Sequence, residues 1–314
     1  MLVVADDLTG AADAAGAFAT AGHRVLVHLD YAEPEPGQIT VIDTDSRSMA
    51  EADAFLATAA AVELAGDRRV FIKIDSTLRG HVRAVVDGAL SALATRPSRV
   101  VVCPAFPARG RIVDAGAVYV DGELIEGPTL RDLFSGFTGS GLFIPAARND
   151  DEISGIVRSM PADALWVGSA GLARHVAERF APADDDAHNP PLADRGPFAK
   201  IAVVAGSLHE RTAEQLEHLS PSTKVYRIDP RDRPFVDQLV PTLRKCDGLV
   251  LTGGHTARVV LDALGIDRFV VRGEVEVGIP HAEAVLDGRT IAIVTKAGGF
   301  GDAQTLRRAV RFLA

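Results

Sequence analysis

Asp6 and Asp7 close a short apolar run and stand just before Thr9 and Gly10. Two adjacent carboxylates at a strand end suit hydroxyl groups, a cation or proton acceptance. They would repel a pyrophosphate, which a dinucleotide site meets with glycines and free backbone N–H groups. One Asp capping a helix with an acidic first turn would explain the same residues without any ligand. The pair, followed by Thr9-Gly10, favours the functional reading. The phosphotransferase pattern with acids at i and i+2 does not apply, because these acids are adjacent.

Further strand ends gather similar chemistry. Asp43-Thr44-Asp45-Ser46-Arg47 follows one, and Lys73-Ile74-Asp75-Ser76-Thr77-Leu78-Arg79-Gly80 follows another. Arg47, Lys73 and Arg79 could pair with a substrate carboxylate. Ser76 could bond polyol hydroxyls or cap a helix. Lys73 interrupts the apolar run Val70-Phe71-Ile72, where a cation is costly unless it is paired or at the strand mouth. Cys103-Pro104-Ala105-Phe106-Pro107 leads to Arg109 and Arg111. Cys103 reads as a buried small hydrophobe and not as a nucleophile, since no nearby His supports it. The two arginines suit a carboxylate pocket or a solvated loop.

The second half changes character. Gly206-Ser207-Leu208-His209, Gly253-Gly254-His255-Thr256 and Lys296-Ala297-Gly298-Gly299-Phe300-Gly301 each follow an apolar run. Glycines let backbone approach a ligand, and helix N-termini favour phosphate. One such loop is often only a tight turn; three in one half, with a Ser and a Lys, point to a nucleotide. None has the spacing of a Walker loop. His255 reads as a base or as a cap.

The elements that must hold these loops are short β-rich runs alternating with helical patterns, which implies βαβ units. The expected fold is α/β: two domains with largely parallel sheets and a ligand site in the cleft between them. Domain boundaries are placed at 1–180 for a sugar-acid domain, 181–198 for a polar, proline-rich linker and 199–314 for a nucleotide domain. A chain of 314 residues accommodates two such cores. With 33 basic and 42 acidic residues the net charge is −9, which argues against nucleic acid or an anionic membrane as a partner. Two cysteines make no disulfide framework, no Cys/His cluster has zinc spacing, and no protein metal site is expected. No apolar run reaches a membrane span, and the start lacks signal-peptide character, so a cytoplasmic location is expected.

Taken together, the motifs resemble the four-carbon acid sugar kinase family, which includes 3-oxo-tetronate, threonate and erythronate kinases. The resemblance runs in order through Asp6-Asp7-Leu8-Thr9-Gly10-Ala11, Thr44 to Arg47, Lys73 to Gly80, Cys103 to Pro107 and Gly168-Ser169-Ala170-Gly171. It continues through Gly206-Ser207, Gly253-Gly254 with Thr256, and Lys296 with Gly298 to Gly301. It implies ATP-dependent phosphorylation of the terminal hydroxyl of a four-carbon sugar acid, with Mg²⁺ bridging phosphates. It implies sugar-acid contacts from Asp7, Arg47, Lys73, Ile74, Asp75 and Ser76, to which the strand-end chemistry adds Asp6 and Arg79, with Asp7 or Asp75 expected to act on the hydroxyl. Ser207, Gly253, Gly254, His255, Thr256, Lys296, Gly298 and Gly299 would meet the nucleotide. A homodimer is compatible with it. The family usually has an acid where this chain has His255, and Lys-Ser-Gly where it has Lys296-Ala297-Gly298. The chain is also shorter than typical members. The alternative is a sugar-acid-binding and nucleotide-binding regulator without catalysis. A nicotinamide-dependent dehydrogenase lacks its glycine fingerprint here.

Overall fold

The computed structural model describes residues 1–139, 141–182 and 198–314. The first half builds β1 (Leu2–Ala5), α1 (Leu8–Thr20), β2 (Val25–His28), β3 (Ile39–Asp43), α2 (Glu51–Glu63), β4 (Val70–Lys73), α3 (Val82–Ala92) and β5 (Val100–Cys103). An excursion follows with β6 (Arg111–Asp114), β7 (Ala117–Val120), β8 (Glu123–Leu124), α4 (Leu130–Leu133) and β9 (Leu142–Phe143). It returns through α5 (Asp150–Ser159), β10 (Leu165–Gly168) and α6 (Ala170–Arg179). The second half builds β11 (Ile201–Ala205), α7 (Glu210–Glu217), β12 (Lys224–Arg227), α8 (Arg233–Leu243), β13 (Gly248–Thr252) and α9 (Gly254–Leu264). It ends with β14 (Arg268–Glu276), β15 (Ile279–Leu286), β16 (Arg289–Lys296) and α10 (Thr305–Leu313).

The two expected sheets are one. Thirteen strands run in the order β12-β11-β13-β16-β15-β14-β2-β3-β1-β4-β10-β5-β9, while β6, β7 and β8 form a small separate sheet. Both flanks are parallel, and their central strands read as unbroken apolar runs because helices cover both faces. The middle is antiparallel: β16 pairs β15, β15 pairs β14, and β14 pairs β2 with Val270 opposite Leu26. Asp287 (φ 51°) and Gly288 (φ 75°) join β15 to β16. Two left-handed residues in a two-residue hairpin match the right-handed strand twist, and Asp-Gly tolerates them best. The β2–β14 ladder ties the halves together independently of the 181–198 linker. Of that linker, residues 183–197 lie outside the described residues.

Helix α1 occupies the centre. Its sequence is mostly Ala and Gly, and every residue from Leu8 to Ala19 is buried. Small side chains let it lie close to the sheet and to α6, with β14 and α9 against its other sides. The acidic turn that opens α1 is thereby fixed in the middle of the molecule, facing the second half. Among the described residues no helix is long and apolar enough to cross a membrane.

Candidate functional site

A cleft of about 560 Å³ opens where strand ends from both halves converge, a size usual for a small-molecule site. The loops after β1, β3, β4, β11, β13 and β16 border it, all at carboxyl ends of parallel strands, as expected for an open α/β sheet. Asp7, Arg47, Ser76 and Arg79 face it from one side. Ser207, Gly253, Gly254, His255, Thr256, Gly298 and Gly299 face it from the other.

Asp7 is the N-cap of α1. Its Oδ1 accepts from the Gly10 N–H at 3.0 Å and its Oδ2 from the Thr9 hydroxyl at 2.7 Å. Capping and site formation are therefore the same act. Arg47 grips Asp6 through Nε at 2.9 Å and Nη2 at 2.7 Å, and the same Nη2 lies 2.8 Å from Asp7 Oδ1. Burial alone would lower the Arg47 guanidinium, but Asp7 and Asp6 outweigh it and hold it above its ordinary range. Asp6 thus orients Arg47 from behind. The expected pairing of Arg47 with a substrate carboxylate falls to its Nη1 edge, which only approaches Asp75 at 3.7 Å.

Asp75 is spent on its own loop. It accepts from the Thr77 N–H and hydroxyl and takes a two-point grip from Arg79 at 3.0 and 2.7 Å. Burial pushes its carboxyl up, yet Arg79 and Arg47 hold it well below the usual range. Asp75 borders only the inner pocket, whereas Asp7 also lines the cleft, so position favours Asp7 of the two acids expected to act on the hydroxyl. Ile74 is a correction: its side chain is buried in the core and only its carbonyl takes part, accepting from Lys73 Nζ at 2.9 Å. Lys73 and Asp75 line a smaller inner pocket at the base of the cleft.

The opposite wall is backbone-rich. The N-terminus of α9 faces the cleft through Gly253 to Thr256, presenting first-turn N–H groups that suit an anion. A β-carbon on Gly254 would stand 2.5 Å from Asp7 Oδ2, so only glycine permits this approach. His255 is exposed on the rim and does not cap α9, whose N-cap is Gly253. His209 instead caps α7, its Nδ1 accepting from the Arg211 N–H at 3.1 Å.

Lys296 is the second correction. It does not line the cleft: it is buried beneath the glycine loop, donating to the carbonyls of Ala297, Gly298 and Phe300 at 2.9, 2.8 and 3.3 Å. Burial pushes its ammonium down to about 7. It shapes the loop and is not placed to meet phosphate. Cys103 is buried, and burial pushes its thiol up to about 12, which fits the inert reading.

Residues outside the expected set complete the walls. Thr9, His209 and Phe300 line the cleft, as does Arg111, which the sequence left between a carboxylate pocket and a solvated loop. Phe300 reaches from the second half to stack edge-on with Phe106 at 6.1 Å, with the Arg109 and Arg111 guanidinium carbons 5.1 and 5.3 Å from its ring centre. Asp13, on the second turn of α1, lines the inner pocket. The third Asp of the Asp6-Asp7 region was a legible signal, but its spacing matched an ordinary helix interior.

These features define an α/β protein with an acid-and-cation wall on one side and a glycine-rich, anion-suited wall on the other. Residues 1–143 match the sugar-binding N-terminal domain and residues 233–306 match the nucleotide-binding C-terminal domain. The chain thus carries both a sugar-binding and a nucleotide-binding domain, and curated relatives that match it along its full length are kinases of four-carbon sugar acids. It is similar to the D-threonate kinase of Cupriavidus necator, 28% identical over 404 positions that cover 97% of this chain and 96% of that one. It is also similar to the 3-oxo-tetronate kinase of Burkholderia multivorans, at 24% identity with 99% and 96% covered. Alignments of this length exceed the 314 residues present, so these relatives carry segments that this chain lacks. A solved Salmonella typhimurium structure shares the fold with a TM-score of 0.78 at 20% identity, covering 100% and 99% of the two chains. A solved Bordetella bronchiseptica protein, a domain-swapped dimer with bound citrate, matches with a TM-score of 0.52 at 26% identity over 99% and 97%.

Proposed function

We propose that the chain is an ATP-dependent kinase that phosphorylates the terminal hydroxyl of a four-carbon sugar acid of the threonate, erythronate or 3-oxo-tetronate type. The apposition of Asp7 and Gly254 carries this reading, because it brings a hydroxyl-orienting carboxylate against a loop suited to phosphate. Asp7 holds the acceptor hydroxyl in line with the γ-phosphate. Phosphoryl transfer asks the protein mainly for positioning and charge neutralisation, and a well-paired orienting acid suffices. Nη1 of Arg47 and Lys73 bind the acid end. First-turn N–H groups of α9 and the Ser207 hydroxyl meet the nucleotide phosphates.

Mg²⁺ fits this arrangement as the nucleotide's companion. Among the described residues no group of three acids, Cys or His could hold a metal ion, and Mg²⁺ in such sites is held largely by phosphates and water with one or two carboxylates. Asp7 is the carboxylate on the cleft wall within this chain's means. Bound there, the cation would neutralise phosphate charge. The domain assignment of 1–180 and 199–314 remains part of the proposal, with the β2–β14 ladder as a joint that limits free hinging. So does a homodimer, on the ground that the related Bordetella protein is a dimer.

A coupled ATP-turnover screen against D- and L-threonate, D- and L-erythronate and their 3-oxo forms tests the reading. Turnover with at least one acid supports it. Binding of an acid without ATP consumption would favour the regulatory alternative, which His255 and Ala297 motivate.

A further inference from the structure

Asp13 lies on the second turn of α1, away from the loops that rim the cleft. Only 6% of its surface is exposed, and among the described residues its Oδ1 has no hydrogen-bond partner. A buried acceptor left unpaired is costly, and most such groups are satisfied. Asp13 borders the inner pocket, which has a volume of about 30 Å³ and shares Asp7, Arg47, Ser76 and Phe300 with the cleft wall. That space holds about one water-sized group. A hydroxyl fits it, and a whole four-carbon acid does not.

We propose that Asp13 is a specificity-determining residue that accepts a hydrogen bond from one secondary hydroxyl of the acid substrate in this inner pocket. The inference rests on the kinase reading above. Donor chemistry decides which group Asp13 can bind. The substrate carboxylate carries no proton to donate to it, and the terminal hydroxyl is needed at the Asp7–Gly254 contact. A secondary hydroxyl remains. Lys73 lines the same pocket and uses one of its three N–H groups on the Ile74 carbonyl, so it offers donors beside Asp13. The Ser169 hydroxyl, also on this wall, is committed to the Ala105 carbonyl and cannot satisfy Asp13. The pocket therefore reads a donor on the ligand, which a keto group at the same carbon does not carry.

The test compares kcat/KM for the best trihydroxybutanoate isomer with 2,4-dihydroxybutanoate and 3,4-dihydroxybutanoate, each lacking one secondary hydroxyl. Asp13→Ala should lower kcat/KM about 10- to 100-fold for the trihydroxy acid. It should leave unchanged the one dihydroxy analogue that lacks the hydroxyl Asp13 binds, and the KM for ATP should not move. Asp13→Asn, which keeps the volume, should show the same selective pattern with a smaller fall. An equal fall for all three acids, or no fall for any, overturns the inference. A wild-type chain that turns over no four-carbon acid removes the kinase reading and this inference with it. Wild-type turnover with an unselective variant removes this inference alone.

Discussion

Gly254 comes so close to Asp7 that a β-carbon on it would stand 2.5 Å from Asp7 Oδ2 and 2.9 Å from Thr9 Oγ1. The first turn of α9 thus meets the first turn of α1, and two helix N-termini from opposite halves face one space. Gly254→Ala should push the Asp7 carboxylate out of place. Misplacement by about 1 Å can cost ~10²-fold in rate, so a fall of that order in kcat is expected. Stability should also drop, by about 1–3 kcal/mol, because the added methyl overpacks the contact and disturbs the Asp7 cap of α1. Steady-state kinetics beside thermal unfolding checks both.

Arg258 on α9 reaches back to Asp43 at the end of β3, Nη1 to Oδ2 at 3.1 Å, and the Asp43 side chain is fully buried. Removing one member of a buried pair strands the other charge. Arg258→Ala should lower the unfolding free energy by about 3 kcal/mol at pH 8. Burial already pushes the Asp43 carboxyl up to about 7, so the loss should shrink at pH 5, where Asp43 takes up a proton. Urea unfolding at both pH values measures the difference.

Asp13 should leave a mark on stability as well as on substrate choice. Burial raises its carboxyl from 3.8 to about 7, against the opposing pull of Lys73, while Glu274, Arg109 and Arg174 act more weakly. A raised carboxylate pKa means the folded state binds the proton more tightly than the unfolded one between about pH 4 and 7. Stability from this group is therefore greatest below that window and is lost as pH rises through it, by up to ~1.4 kcal/mol per unit. Asp13→Asn lacks this loss. Its advantage over wild type should grow from pH 4 to 7 and then level off; a constant difference would contradict the assignment.

Lys296 holds the glycine loop from beneath. Lys296→Met should keep the buried volume and lose three carbonyl contacts, so the loop should drift from the nucleotide. A rise of about 10-fold in the nucleotide KM with a smaller change in kcat is expected, each charged hydrogen bond being worth about 1.5–3 kcal/mol when buried. A direct phosphate contact would instead show mainly in kcat.

The parallel flanks were legible because strands buried on both faces leave unbroken apolar runs such as Leu2 to Ala5 and Gly248 to Leu251. The antiparallel centre was not. Arg268 to Glu276 mixes charges with apolar residues, since β14 is only partly buried, and neither period stands out. The Asp287-Gly288 turn was the available signal, and it lies between two runs that pattern alone does not separate. The strand-end motifs located most of the cleft wall. What they could not give is direction: Lys296 looks the same in sequence whether its ammonium points to a phosphate or back into its own loop. Asp75 likewise reads as a free acid until Arg79 and Thr77 are seen to occupy it. Asp13 was passed over because a single acid in a helix is ordinarily solvated, and only the packing of α1 at the centre of the molecule buries it.

Asp7→Asn tests the central claim most directly. Asn caps a helix about as well as Asp, so α1 should stay formed while the carboxylate is lost. The account predicts a fall in ATP turnover of at least about 10²-fold with the best four-carbon acid, with the KM for ATP within about twofold of wild type. Turnover at the wild-type level would contradict it.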